Sequence, residues 1–139
     1  FLFTLAIMRL YKLIVVLVMI FNSASARAEW IPIAAVPKFL GYADLDNIEV
    51  TDDARQVWVL QNYLEHQTKG FLSVRARCEY ECSTNRGRVV TEEWWTEHWA
   101  KGTNVTPANT PVDQRWVQLT PGSFGELILK IVCAGAKDH

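Results

Sequence analysis

The sequence has no early hydrophobic run long enough to form a membrane-spanning helix. Its apolar run at residues 13–21 has about nine residues, whereas a spanning helix needs roughly 17–25. Arg9 and Lys12 precede this run, and Ala26-Arg27-Ala28 follows it with the small-residue pattern of a signal-peptidase site. These features predict a signal peptide cleaved after Ala28 rather than a stable membrane anchor.

A cysteine for lipid attachment is also missing from the predicted cleavage point. Residues 1–7 lie upstream of Met8 and have the character of an over-extended translation start. We therefore expect residues 1–28 to be a translation overhang plus signal peptide, and residues 29–139 to form one small domain. A protein processed in this way would be periplasmic or secreted, in a compartment where thiols are oxidised.

An excess of positive charge is absent as well. The 14 basic and 15 acidic residues give a net charge of −1. Removing the predicted leader takes away three basic residues (Arg9, Lys12 and Arg27) and no acidic ones, so the domain carries 11 minus 15, or −4. This balance argues against nucleic acid or anionic lipid as a partner.

Residues with catalytic potential are few. The chain has three histidines, no H-E-x-x-H motif, no serine elbow and no glycine-rich phosphate loop. In the segment "EEWWTEHW", Glu92 and His98 would stand about 20 Å apart on a strand, too far to share a metal ion. We therefore predict no enzyme activity, no metal site and no cofactor.

The three cysteines are Cys78, Cys82 and Cys133. In "CEYEC" the first two would lie about 13 Å apart on a strand, which excludes chelation of one ion by both and a disulfide between them. A disulfide from one of them to Cys133 remains. Both strand cysteines would point to the same face, so the alternation alone does not decide which one pairs.

What the sequence does contain is a strongly alternating segment, "SVRARCEYEC". Alternate positions from Val74 to Cys82 are apolar or cysteine, and the positions from Ser73 to Glu81 between them are polar or charged. This period of two predicts a strand with one buried and one solvated face. Further strands are predicted in "WIPIAAV", around Ile48 and Val50, in "QVWVLQNY", in "VVTEEWW" and in "RWVQL".

The C-terminal part changes to a helical period from Phe124 onwards. Ser123 and Glu126 form a capping box, Glu126 and Lys130 are an i,i+4 pair, and Gly135 can end the helix. Residues 100–114 are predicted to be a loop. The fold class is therefore α+β: an antiparallel β-sheet of about five to six strands, a C-terminal helix packed on one face, and one disulfide.

Tryptophan is the residue with the clearest binding potential. Trp94, Trp95 and Trp99 cluster within six positions, and neighbouring strand residues face opposite sides, so we expect either Trp94 or Trp95 to be exposed. Arg86 and Arg88, placed in the preceding turn "STNRGR", would add a basic edge. These five residues are the predicted binding site, although packing under the loop or against a dimer partner explains the tryptophans equally well.

The chain also resembles the bacterial surface-adhesin protein E-like family. The matching elements are "YADLDNIEV", "VWVLQNY", "SVRARCEYEC" with the following arginines, and "RWVQLTPGSFGELILKIVC". The resemblance implies a disulfide between Cys82 and Cys133, which leaves Cys78 without a counterpart. It also implies a protein partner of extracellular-matrix type and a capacity to dimerise.

Two functional hypotheses follow. The first is an exported, non-enzymatic binding module that contacts a protein partner, or a second copy of itself, through the sheet edge and the region of Trp94 to Trp99. The alternative is a periplasmic carrier or sensor of a small ligand, such as haem or a hydrophobic metabolite, with the exposed tryptophans as its platform.

Overall fold

The computed structural model describes residues 1–21, 27–109 and 111–135. Two α-helices are formed, α1 (Leu2–Phe21) and α2 (Phe124–Val132). The strands are β1 (Trp30–Ala35), β2 (Phe39–Asp44), β3 (Glu49–Thr51), β4 (Ala54–Tyr63), β5 (Ser73–Glu81), β6 (Arg86–Glu97), β7 (Lys101–Asn104) and β8 (Val117–Gln118). Short 3₁₀ turns occupy Thr68–Gly70 and His98–Ala100.

All of these strands belong to one antiparallel sheet. The main order is β1-β2-β4-β5-β6-β7, with β3 added beside β4 and β8 beside β6. The described part of the chain thus contains eight strands, two more than the upper end of the predicted number. The predicted α+β class, with its antiparallel sheet and C-terminal helix, is confirmed.

The alternation of β5 determines which side of the sheet forms the core. Its apolar side chains, which include Val74, Ala76 and Cys78, are buried against the helix side. The other face, predicted to be solvated, is only partly so, because Ser73 is fully buried and Glu79 is only 8% exposed. Contacts from neighbouring elements cover these two polar side chains, as described below.

Helix α2 begins and packs as its sequence predicts. The Ser123 side chain accepts the backbone N–H of Glu126 at 3.3 Å, and Lys130 forms an ion pair with Glu126 at 3.0 Å. The helix lies over β1 and β2, where the ring of Phe124 occupies the space above Gly41. A Cβ atom at that position would stand 2.3 Å from the ring, so the close approach of helix and sheet requires glycine there.

The disulfide fixes the other end of α2 to the sheet. Cys82, in the turn after β5, is bonded to Cys133, at the end of α2. The pairing implied by the family resemblance is therefore confirmed. Cys78 is a buried free thiol.

Three local predictions were wrong. Strand β2 was not predicted, and β7 lies within the segment 100–114 that was predicted to be a loop. Arg86 and Arg88 belong to β6 rather than to the preceding turn. The turn is shorter than expected because Asn85, at φ 55°, reverses the chain just before β6 begins.

Strand β6 also contains a β-bulge. Thr91 pairs with Arg77 and Val89 pairs with Cys78, which leaves Val90 as an extra residue between two adjacent pairs. The bulge shifts the alternation by one position. Odd-numbered side chains such as Val89 therefore face the helix before the bulge, and even-numbered ones such as Trp94 face it afterwards.

The predicted leader is described only in part. Residues 2–21 form α1, and no helix in the described ranges is long and apolar enough to cross a membrane. The predicted cleavage motif begins at residue 26, which lies outside the described residues.

Candidate functional site

The sheet surface opposite α2, called here the open face, carries an unusual concentration of aromatic and arginine side chains. Its strands β4, β5 and β6 alternate these with carboxylates. The aromatic and arginine side chains are Tyr42, Trp58, Arg75, Arg77, Arg86, Arg88, Trp95, Trp99 and Trp116.

Arginines stack on two of these tryptophans. The guanidinium of Arg75 lies 5.0 Å from the ring centroid of Trp58, and that of Arg88 lies 4.4 Å from the ring centroid of Trp116. Arg77 and Arg86 approach the same two rings from a second side, at 5.9 Å and 5.8 Å. Such cation–π contacts hold large side chains in fixed positions on the sheet surface opposite α2.

Carboxylates on neighbouring strands neutralise these arginines. Arg75 pairs with Glu93 at 2.8 Å, and Arg88 pairs with Glu79 at 2.8 Å. Glu79 also accepts a hydrogen bond from the Gln56 side chain at 2.5 Å, which explains how a carboxylate on this face can be nearly buried. The open face is therefore rich in charges yet electrically balanced.

Trp99 lies at one end of the open face in a strained corner. Trp99 and Ala100 adopt left-handed backbone conformations, with φ of 64° and 54°, which are unfavourable for residues with a Cβ. Two buried side chains hold the corner: the Asn62 Oδ1 accepts the N–H of Trp99 at 2.9 Å, and the Ser73 Oγ accepts that of Ala100 at 3.1 Å. The Trp99 ring stacks on Tyr42 at 4.8 Å and remains 44% exposed.

The structure separates the three clustered tryptophans. Trp95 and Trp99 lie on the open face, where Trp95 is half-buried and donates its indole N–H to Glu93 at 3.2 Å. Trp94 points to the opposite, helix-side face, where it packs on Phe71 with ring centroids 4.6 Å apart.

The predicted arginines share the open face with Trp95 but not its position. Arg86 and Arg88 stand at the other end of β6, roughly 20–30 Å from Trp95 along the strand. The five predicted residues therefore do not form one compact site. Trp58, which contacts Arg75 and Arg77, and Trp116, which contacts Arg86 and Arg88, also belong to the open face and were not predicted.

A cavity of about 410 Å³ opens on the helix side of β5 and β6, where α2 does not cover the sheet. A second cavity of about 300 Å³ lies beside it and shares Val89, Glu92 and Asp113 with the first. We call the two together the helix-side cavity. The Gln114 side chain donates to the carbonyl of Val90 at 2.9 Å and thereby fastens the segment beside the cavity to the bulge in β6.

Burial changes the protonation of groups in the cavity wall. Burial raises the pKa of the Cys78 thiol to about 12, and the charge of Glu92 adds to this shift. Burial also raises the pKa of Tyr80 well above its usual value. The Cys78 thiol therefore stays protonated and unreactive at neutral pH.

The family model described as surface-adhesin protein E matches residues 30–134, which span the sheet, α2 and both disulfide cysteines. The chain belongs to the surface-adhesin protein E family.

Solved structures similar to this family member are those of protein E from Haemophilus influenzae. One has a TM-score of 0.60 at 18% sequence identity and covers 83% of this chain and 91% of its own. The protein from a non-typeable strain has a TM-score of 0.59 at 19% identity, with 83% and 82% covered. At these identities the likeness establishes the shared fold and no more. No curated protein sequence matches the chain significantly.

Proposed function

We propose that this surface-adhesin protein E family member is an exported, non-enzymatic binding module that contacts a protein partner through its open face. The observation that carries the proposal is the composition of that face. Tryptophan, tyrosine and arginine are the residues that contribute most to binding energy at protein interfaces. Here they occupy the sheet surface that the protein's own helix leaves uncovered.

The open face is also preorganised for binding. Trp58 and Trp116 are already half-buried and stacked by arginines, so a partner would not have to order them. The strained corner supports the same interpretation, since two buried hydrogen-bonding groups hold Trp99 where its ring projects from the surface.

Charge complementarity favours a protein over a polyanion as the partner. The arginines of the open face are paired with carboxylates, so few positive charges are available to bind phosphates. The family resemblance suggests a partner of extracellular-matrix type, and a second copy of the chain is the competing occupant. In this proposal the signal peptide is cleaved after Ala28, and the domain acts in the periplasm or outside the cell.

The test measures binding of the purified protein to a panel of immobilised extracellular-matrix and serum proteins by surface plasmon resonance. For a protein that binds, Trp116→Ala and Trp99→Ala should each weaken affinity at least tenfold, because truncating an aromatic anchor of an interface costs roughly 2 kcal/mol or more. The matched control is Lys130→Ala, on the exposed side of α2, which should bind like the parent.

Two results would contradict the proposal. Loss of binding in Lys130→Ala with no effect of the tryptophan variants would place the contact on the helix. No binding to the panel, combined with monomer–dimer equilibrium in sedimentation that Trp116→Ala abolishes, would identify a second copy as the occupant. Protease treatment of intact cells tests the location separately, since a surface protein is digested and a periplasmic one is protected.

A further inference from the structure

The helix-side cavity contains one carboxylate that the fold leaves without a cation. Glu92 lines both parts of the cavity, and no ion pair between the described residues includes it. Its Oε1 accepts the indole N–H of Trp94 at 3.0 Å, which orients the carboxylate but does not neutralise it. Its neighbour on the opposite face, Glu93, is by contrast paired with Arg75.

The surroundings of Glu92 are mainly apolar. Side chains from β4, β5, β6 and α2 and from the segment before α2 supply the walls; among them are Val59, Val74, Ala76, Val89, Leu119 and Phe124. Three cationic residues also line this cavity, and none forms an ion pair with Glu92: Arg88 pairs with Glu79, Arg115 pairs with Asp113, and the Lys69 amine lies over the Trp94 ring. Glu92 itself is half-buried, so its carboxylate can accept hydrogen bonds from a group that enters the cavity.

The negative charge of Glu92 affects the pKa values of neighbouring groups. Burial raises the pKa of the Tyr63 phenol, and the charge of Glu92 contributes to that increase, as it does for Cys78. The volume of the main cavity, about 410 Å³, falls within the range of roughly 300–1,000 Å³ that is typical of small-molecule sites. Mainly apolar walls with a small number of polar or charged groups are also the usual composition of such sites.

We propose that the helix-side cavity binds a small amphiphile with an apolar body and a cationic amine head, and that Glu92 accepts the ammonium N–H groups. The apolar walls contact the body, and Trp94, which is fixed by its bond to Glu92, presents its ring beside the head. The Lys69 amine, which lines the second part of the cavity, lies 5.6 Å from the centroid of this ring, and a ligand ammonium group would approach the ring by the same cation–π attraction. The site is on the opposite side of the sheet from the open face and does not depend on the proposed partner.

The experiment uses octylamine, which is protonated at neutral pH, and octanoate, which has a similar body and the opposite charge. Isothermal titration calorimetry should give saturable binding of octylamine and at least tenfold weaker binding of octanoate. Glu92→Gln should weaken octylamine binding at least tenfold, because its amide oxygen can still accept the Trp94 N–H while the charge is lost. Glu93→Gln, one residue away on the opposite face, is the matched control and should bind octylamine like the parent.

Two further variants separate this proposal from others. Val89→Phe should abolish octylamine binding by filling the region that both parts of the cavity share, while thermal unfolding shows that the domain still folds. Trp116→Ala should leave octylamine binding unchanged, so failure of the open-face proposal would not affect this one. Absence of saturable octylamine binding, equal binding of octanoate, or equal effects of Glu92→Gln and Glu93→Gln would each overturn the inference.

Discussion

The backbone N–H of Trp99 donates a hydrogen bond to the side-chain oxygen of Asn62 at 2.9 Å, so a buried residue of β4 positions an exposed aromatic ring. Asn62 is 5% exposed and Trp99 is 44% exposed. The bond connects the sheet interior to the part of the surface where we expect a partner to bind.

Asn62→Ala should destabilise this corner more than its surroundings. The Trp99 N–H would lose its acceptor in a backbone conformation that is already unfavourable, which should cost about 1–3 kcal/mol in urea unfolding. Amide hydrogen exchange should accelerate at Trp99 and Ala100 but not in the middle of β5. Lys101→Ala, an exposed change next to the corner, should affect neither measurement. Uniform acceleration across the sheet would show that Asn62 supports the whole fold rather than the corner.

The disulfide should contribute more to the free energy of unfolding than the free thiol of Cys78 does. Cys82→Ser should lower the free energy of unfolding by roughly 2–5 kcal/mol, since the bond closes a loop with a sequence separation of 51 residues. Cys78→Ser should cost less, about 1–3 kcal/mol, for placing a hydroxyl in an apolar wall. Dithiothreitol should destabilise the parent and Cys78→Ser but leave Cys82→Ser unchanged in a thermal melt. A loss on reduction in Cys82→Ser would contradict the pairing.

Stability should decrease in alkaline solution because of Cys78. Its pKa is about 12 in the folded protein against an ordinary value of 9.0, so the folded state retains a proton that the unfolded state loses. The stabilisation is fully present below pH 9 and is lost as the pH rises from about 9 to 12, at up to about 1.4 kcal/mol per pH unit. Burial also raises the pKa of Tyr80, so this residue likewise lowers the free energy of unfolding as the pH rises above 10. Urea unfolding of the parent and Cys78→Ala across this range should show a shallower pH dependence in the variant; identical slopes would refute the assignment.

The two arginines at the start of β6 should differ in their contribution to stability. Arg88 pairs with Glu79, whose side chain is 11% exposed, and Arg86 pairs with Glu81, whose side chain is 24% exposed. Arg88→Ala should cost about 1–3 kcal/mol because it leaves a nearly buried carboxylate without its cation, whereas Arg86→Ala should cost less than about 1 kcal/mol. The double variant Arg88→Ala, Glu79→Gln should recover part of the loss. If the two single variants are equally stable in urea, the difference in burial does not determine the cost.

Local patterns with a direct physical cause were predictable from the sequence. The period of two identified β5, and the capping box located the start of α2 at Ser123. Strand β2 was not predicted because glycine, here Gly41, is a weak strand former. Glycine is nevertheless required at this position because the ring of Phe124, some 80 positions later in the sequence, lies directly above it. A contact between residues so far apart in the sequence cannot be recognised from the residues around Gly41.

The candidate sites were harder to predict because both depend on pairing between strands. Alternation predicts that Trp94 and Trp95 face opposite sides, but the sequence does not reveal the bulge that decides which of them faces α2, or that the turn ends before Arg86. From the sequence, Glu92 is of interest only as a metal ligand together with His98, and the strand distance excludes that role. Its isolation from cations in the cavity depends on the register of β5 and β6, which no local pattern of residues specifies.

The bulge at Val90 determines how this strand can tolerate changes in length. Deleting that one residue would make the pairing of β5 and β6 regular, because Val89 and Thr91 already face opposite sides as adjacent strand residues do. Both surfaces would keep their side chains. The deletion would remove the Val90 carbonyl, which accepts a hydrogen bond from the Gln114 side chain. The segment beside the cavity would lose this hydrogen bond while the sheet stayed intact. A relative one residue shorter at this position would therefore preserve the open face and differ from this chain in how its cavity is enclosed.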